Sequence, residues 1–239
     1  MQQPKGLAFV TGGNRGIGAA IAHKLHEAGH EVVIGSRGGE SSKIDGIHSV
    51  QIDVGEVDSI ESAIAEIEER FGNIEVLVAN AGVTRDSLLM RMTDDDIDET
   101  ITTNLIGSIR LARRVLRPMI KAKHGRIVFM SSVVGLLGSA GQVNYAASKA
   151  GLIGAARSLT REVGSRGITV NVITPGFIDT DMTAGLDEAT KSAILKTIPA
   201  ARYGQPDEVA QTVEFLVSNS AAYISGAVIP VDGGLGMGH

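Results

Sequence analysis

Cysteine and tryptophan are absent from this sequence, aromatic residues make up only 3% of it, and one long internal stretch holds no acidic residue. Each absence excludes something. Without cysteine there is no disulfide framework, no thiolate metal centre and no cysteine nucleophile; a reducing compartment is permitted though not proven by this, and a cytoplasmic location is the expectation. Met1 to Leu7 lacks the apolar core of a signal peptide, and no run of about 18 apolar residues occurs, so no membrane partner is expected. With 239 residues and 43% hydrophobic content the chain suits one domain over residues 1–239, with a single substantial core. The net charge of -5 speaks against nucleic acid as a partner, because neutralising phosphates takes clustered positive charge.

Glycine, by contrast, is plentiful, and it punctuates an alternation of short apolar runs with helical patterns. Leu7 to Thr11 leads into a glycine-rich turn and then a helix with Ile17, Ile21, Leu25 and Ala28 on one face, stopped by Gly29. Further strands are expected at Val32 to Gly35, Val50 to Val54, Val76 to Ala79, Ile127 to Met130, Val170 to Thr174 and Ala227 to Val231. Between them, helices are expected from Ile60 to Phe71, from Thr93 to about Arg117 before Pro118, from Asn144 to about Val163, and from Pro206 to Leu216. Such alternation implies an α/β fold: a single-domain, Rossmann-type, doubly wound parallel sheet of about seven strands with helices on both faces. Ligands of such sheets sit beyond the carboxyl ends of the strands.

The turn Thr11-Gly12-Gly13-Asn14-Arg15-Gly16-Ile17-Gly18 lies where a dinucleotide pyrophosphate would rest on a helix N-terminus. An acid after the second strand would accept the ribose 2′-hydroxyl of NAD; here the strand ends in Ile34-Gly35-Ser36-Arg37. Arg37, with Arg15 from the turn, suits a phosphate, so NADP(H) is the expected cofactor. Glu40, the nearest acid, stands too far along the chain for the diol role. Asp53 at the end of the third strand, followed by Val54, is either a partner for the adenine amino group or an ordinary turn aspartate.

Tyr145 and Lys149, four apart on one helix face, form the other candidate centre; neither Tyr203 nor Tyr223 has a lysine at that spacing. Moving a phenol from pKa 10 to about 7 takes roughly 4 kcal/mol of preferential phenolate stabilisation, and a neighbouring ammonium acts in that direction. Ser132 ends the fifth strand, where its hydroxyl is placed to hold a substrate oxygen over the cofactor.

Together these motifs resemble the short-chain dehydrogenase/reductase family over essentially the whole chain. The pattern Thr-Gly-x-x-x-Gly-x-Gly falls at Thr11 to Gly18, Asn-Ala-Gly at Asn80-Ala81-Gly82, the serine at Ser132, Tyr-x-x-x-Lys at Tyr145 and Lys149, and Pro-Gly at Pro175-Gly176. The asparagine that completes the family tetrad matches Asn104. Asn144 to Gly154, Gly167 to Thr183 and Tyr223 to Gly234 are similar to one subgroup, the bacterial 3-oxoacyl-[acyl-carrier-protein] reductases. The resemblance implies that Tyr145 donates a proton to the ketone oxygen, Lys149 lowers its pKa and holds the nicotinamide ribose, Ser132 bonds the carbonyl, and Asn104 supports a water-linked proton path. It also implies that Ile178 and Thr180 meet the carboxamide, and that a substrate loop spans about 180–198. Val133, Val134, Leu136, Leu137, Phe177, Met182 and Leu186 offer either an acyl surface or ordinary packing. The implied activity is reduction of 3-oxoacyl thioesters on acyl-carrier protein in fatty-acid synthesis, by a homotetramer. Another short-chain reductase, such as an acetoacetyl-CoA reductase or an alcohol dehydrogenase, or a non-catalytic nucleotide sensor or scaffold, are the alternatives.

Between Ile101 and Arg161 there is no acid, while Arg110, Arg113, Arg114, Arg117, Lys121, Lys123, Arg126, Lys149, Arg157 and Arg161 supply ten positive charges. This block, with Lys121, Lys123, Arg126 and Arg166 foremost, either attracts an acidic carrier or pairs with carboxylates across a subunit interface. His23, His26 and His30 lie opposite the Ile17/Ile21/Leu25 stripe and read as a solvated face; no metal is expected.

Overall fold

The computed structural model describes residues 5–40, 42, 44–180, 185 and 187–237. Seven parallel strands form one sheet: β1 Lys5–Thr11, β2 His30–Ser36, β3 Ile47–Gln51, β4 Ile74–Ala79, β5 Gly125–Met130, β6 Ile168–Pro175 and β7 Val228–Val231, in the order β3-β2-β1-β4-β5-β6-β7. This is the doubly wound arrangement the alternation implies, with the order reversing at β1 and β4. All residues of β5 and β6 are buried, as strands covered on both faces require.

Eight α-helices surround the sheet among the described residues: α1 Gly16–Glu27, α2 Val57–Phe71, α3 Asp94–Ile101, α4 Ser108–Ala122, α5 Val134–Leu137, α6 Val143–Val163, α7 Glu188–Leu195 and α8 Pro206–Val217. One face of the sheet packs Phe9, Leu77, Phe129 and Val172 against α2, α4 and α6. The other packs Val10, Val78, Val128 and Ile173 against α1 and α8. A hydroxyl and a carboxylate open α3, where Thr93 and Asp96 form a reciprocal capping box.

Two expectations from the sequence, the start of the third strand and the long helix after Thr93, need correction. The third strand begins three residues earlier than the apolar run suggests. Pairing with β2 runs from Val32↔Ile47 to Ser36↔Gln51, and the Gly55 amide then turns back onto Asp53 Oδ1 at 2.9 Å, taking Asp53 and Val54 out of the ladder. No helix joins β2 to β3 among the described residues; the link is a short loop in which Gly39 and Gly46 have positive φ. The long helix expected from Thr93 to Arg117 is interrupted by a π-helical segment, Thr102–Gly107, and α4 then continues through Pro118 to Ala122. An internal proline costs about 3 kcal/mol. Burial of Val115 and Met119 on either side outweighs it, at roughly 1.5–3 kcal/mol each.

Candidate active site

The glycine turn between β1 and α1 is built by close approach. Gly12 has a φ of 66°, and a Cβ on Gly18 would fall 2.1 Å from the Gly12 carbonyl oxygen, so no larger residue fits there. Asn80 at the end of β4 holds the turn: its amide donates to the Thr11 and Gly12 carbonyls at 2.9 and 3.3 Å, while the Asn80 and Ala81 backbone amides both donate to the Thr11 hydroxyl at 3.1 Å. The Asn80 side chain is thus committed to the turn itself. No side chain caps α1, and its first turn carries no acid.

At the outer end of the groove both expected arginines, Arg15 and Arg37, are exposed. Arg37 is exposed and lines an open recess with Gln51, Asp53, Asp58 and Ser59. Asp53 spends one oxygen on the Gly55 amide, so the turn role is real, and its place on the recess wall keeps the adenine role open. Glu40, set aside on the sequence, returns to the groove. Its carboxylate accepts from the Ser36 hydroxyl at 2.6 Å and the Asn14 amide at 3.4 Å, and the Ser36 bond, with help from the Arg15 charge, holds its pKa below the usual carboxylate value.

Strand β5 delivers Ser131 and Ser132 to the opposite part of the same edge. The Ser131 hydroxyl donates to the Lys149 carbonyl at 2.8 Å, fixing the strand end to α6. The Ser132 hydroxyl neighbours the Tyr145 phenol on α6. Lys149 is buried, donates from Nζ to the Met130 carbonyl at 2.8 Å, and lies 5.6 Å from the centre of the Tyr145 ring. Burial pushes its pKa down to about 8. Tyr145 moves opposite to expectation: burial raises its pKa, the Ser132 hydroxyl opposes this, and the Asp86 charge adds to the rise. Lysine and phenol share one desolvated site, so each is pushed toward its neutral form.

Asn104 is buried in the π segment, a distortion that recurs at functional sites. Its Oδ1 accepts the Val83 amide at 2.8 Å, and its Nδ2 donates to the Val83 carbonyl and the Ser148 hydroxyl at 2.9 and 3.1 Å. The position of a Cβ on Gly82 lies 3.0 Å from Asn104 Oδ1 and 3.4 Å from Lys149 Nζ. A side chain at position 82 would therefore crowd both groups.

After β6, Gly176 comes so close to Asp232 that a Cβ would lie 2.7 Å from it, Ile178 is buried, and Thr180 reaches the glycine turn, its Cγ2 3.7 Å from a Cβ placed on Gly16. Of the suggested acyl surface, Val133 is buried packing, Val134, Leu136 and Phe177 are half-buried and Leu137 is exposed. Met182 and Leu186 lie outside the described residues, as does part of the expected loop at 180–198, whose later part forms α7.

The basic block is divided in use. Arg114 pairs with Glu61 at 2.7 Å and Glu68 at 3.4 Å on α2 of the same chain. Arg126 is buried, with only 4% exposed, and donates to the Gly125 and Gly167 carbonyls, so it drops out of any docking surface. Arg113, Arg117, Lys121, Lys123 and Arg166 remain exposed. The three histidines do different work: His23 faces Glu27, His26 packs on Gly46, and the His30 ring meets the Gly6 carbonyl at 3.0 Å.

A family model described as "Enoyl-(Acyl carrier protein) reductase" matches residues 12–236. The chain is 52% identical over 231 residues to the 3-oxoacyl-[acyl-carrier-protein] reductase MabA of Mycobacterium tuberculosis, covering 97% of this chain and 93% of that protein. It is 48% identical over 237 residues to the corresponding reductase FabG of Escherichia coli, covering 97% of both. The chain belongs to the short-chain dehydrogenase/reductase family. As a member it is an oxidoreductase that uses a nicotinamide cofactor. The groove fits such a ligand: a turn admitting only glycine at Gly18, an uncapped helix N-terminus, and a glycine at position 82 beside Lys149.

Several residues of this reductase's site escaped the sequence reading. Asn144 is buried, accepts the Tyr145 amide at 2.7 Å and donates to the Arg85 carbonyl, the Asp96 carbonyl and the Thr100 hydroxyl, each at 3.1 Å. It ties the start of α6 to α3 and the preceding loop. Asp86, held by Gln142 at 2.9 Å, supplies the negative charge near Tyr145. Neither residue has a periodic signal; their partners are distant in sequence.

Proposed function

We propose that the protein is an NADPH-dependent reductase of 3-oxoacyl thioesters carried on acyl-carrier protein, yielding 3-hydroxyacyl thioesters in fatty-acid biosynthesis. The observation that carries this reading is the hydroxyl pair Ser132 and Tyr145 at the carboxyl end of β5, backed by buried Lys149. The near full-length likeness to 3-oxoacyl reductases supports it. When bound, the cofactor supplies hydride to the ketone carbon. Ser132 Oγ donates to the ketone oxygen and Tyr145 delivers its proton there, so that the C=O bond becomes C–H and O–H. A phenol whose pKa lies above its ordinary value is fully protonated at neutral pH, which suits a donor. Lys149 as the ammonium then stabilises the phenolate left behind, and Asn104, buried beside Gly82, supports the water-linked path through which the proton is restored.

Preference for the 2′-phosphate rests on exposed Arg37 and Arg15, with Asn14 and Ser36 as further donors at the outer groove, and on the absence of an acid at the end of β2 itself. Exposed Lys121, Lys123 and Arg166 fit an acidic carrier. Self-assembly into a tetramer would use the outer faces of α4 and α6.

The family description favours one second reading, reduction of an enoyl thioester. That reaction must protonate carbon, whereas two neighbouring hydroxyls, Ser132 and Tyr145, suit an oxygen. Rates on 3-oxoacyl and 2-enoyl thioesters with NADPH and with NADH separate these readings; faster enoyl reduction, or better use of NADH, overturns the corresponding part. Tyr145→Phe is expected to cost about two to four orders of magnitude in kcat while cofactor affinity stays within twofold, as removal of a general acid does. A wild type inert on every carbonyl tested would instead indicate a nucleotide-binding scaffold.

A further inference from the structure

At the outer end of the cofactor groove the Ser36 hydroxyl and the Asn14 amide converge as donors, with the Arg15 charge nearby. That is the chemistry of an anion seat. An anion already sits in it: Glu40, whose carboxylate takes the Ser36 hydroxyl at 2.6 Å and the Asn14 amide at 3.4 Å. The loop is shaped to bring it there. Gly39, at a φ of 66°, reverses the chain, and Glu40 folds so closely over Gly38 that a Cβ there would lie 2.3 Å from Glu40 Oε1. Serine at the end of β2 thus bonds a carboxylate four residues further on.

We propose that Glu40 is a cofactor-specificity residue that acts as an internal competitor: its carboxylate fills the seat of the ribose 2′-phosphate and must swing out before a 2′-phosphorylated dinucleotide binds. The inference rests on the NADPH reading above. The displaced carboxylate moves into solvent, since Glu40 is already exposed. A ligand without a 2′-phosphate leaves it in place. Selectivity then comes from the surplus of the phosphate's bonds over those Glu40 gives up, and the release of product cofactor is assisted by a carboxylate ready to reclaim the donors.

The test measures dissociation constants of NADPH, NADH, adenosine 2′,5′-bisphosphate and adenosine 5′-monophosphate on wild type, Glu40→Gln and Glu40→Ala. Removing the competitor should tighten NADPH and the bisphosphate roughly three- to tenfold, as release of a blocked fraction does, with NADH and the monophosphate unchanged within twofold. Unchanged or weaker bisphosphate binding in both variants overturns the proposal. So does selective loss of NADH and monophosphate affinity, which would make Glu40 a ribose acceptor. The NADPH reading fails separately, when wild type binds NADH as tightly as NADPH; the bisphosphate ratio between variant and wild type still reports on Glu40 in that event. Intrinsic melting temperature without ligand guards against misfolding.

Discussion

Lys149 places two opposite demands on one side chain. Burial lowers its pKa from 10.5 to about 8, so the folded chain gives up that proton while the unfolded chain still holds it. The charged form is therefore a stability cost that is fully present below about pH 8 and fades as pH rises toward 10.5. Turnover needs the charge and should follow the reverse course, with kcat/KM falling above about pH 8 as one proton is lost. Lys149→Met is accordingly expected to abolish most turnover yet unfold at a urea concentration no lower than wild type at pH 7, the lost bond to the Met130 carbonyl, about 1 kcal/mol, being smaller than the relieved burial cost. Marked destabilisation would mean that the ammonium is better solvated than its surroundings indicate. Tyr145 and Lys149 were legible in the sequence because helical spacing places them on one face. Glu40 was not, because a glycine reversal carried it back over four residues, and no periodic pattern records such a fold. Arg126 misled for the converse reason: its charge suggested surface, whereas β5 is buried on both faces.

Helix boundaries were the weaker part of the reading, and the π segment shows why. Thr93 to Arg117 carries a continuous helical pattern, and one extra residue in a turn alters neither composition nor apolar spacing enough to reveal itself. Only tertiary contact does so: Gly107 presses on the end of the β3 connection, where a Cβ would come within 2.4 Å of the Val54 carbonyl. That contact sets the position of Asn104. Gly107→Ala should therefore destabilise by roughly 1–3 kcal/mol, the usual cost of overpacking, and should lower kcat more than it raises KM by displacing Asn104. Chemical denaturation and steady-state rates read the two effects independently; a stable variant with unchanged kcat would separate Asn104 from the segment's packing. Strands fared better, since short apolar runs between turns are hard to misplace by more than a few residues.

Across the whole molecule, the doubly wound parallel sheet followed from the alternation of elements, but the use of charge did not. Arg114 turned inward to α2, while Lys121, Lys123 and Arg166 stayed exposed, and the loop at Gly167 touches Lys123 so closely that a Cβ would lie 2.4 Å from its carbonyl. Lys123 and Arg166 thus belong to one patch. Reversing both, as Lys123→Glu with Arg166→Glu, should reduce turnover of carrier-linked substrate about tenfold or more at low salt while a small thioester is reduced at the wild-type rate. Equal losses on both substrates would exclude docking there. The contact of Thr180 with Gly16 has a consequence for how the protein comes into being. One wall of the cofactor groove leaves the ribosome at the start of synthesis and the other only after β6, and α8, which covers α1, follows later still. A nascent chain is thus barred from tight cofactor binding until most of its length has emerged, and the dinucleotide, once seated, rewards only the finished sheet.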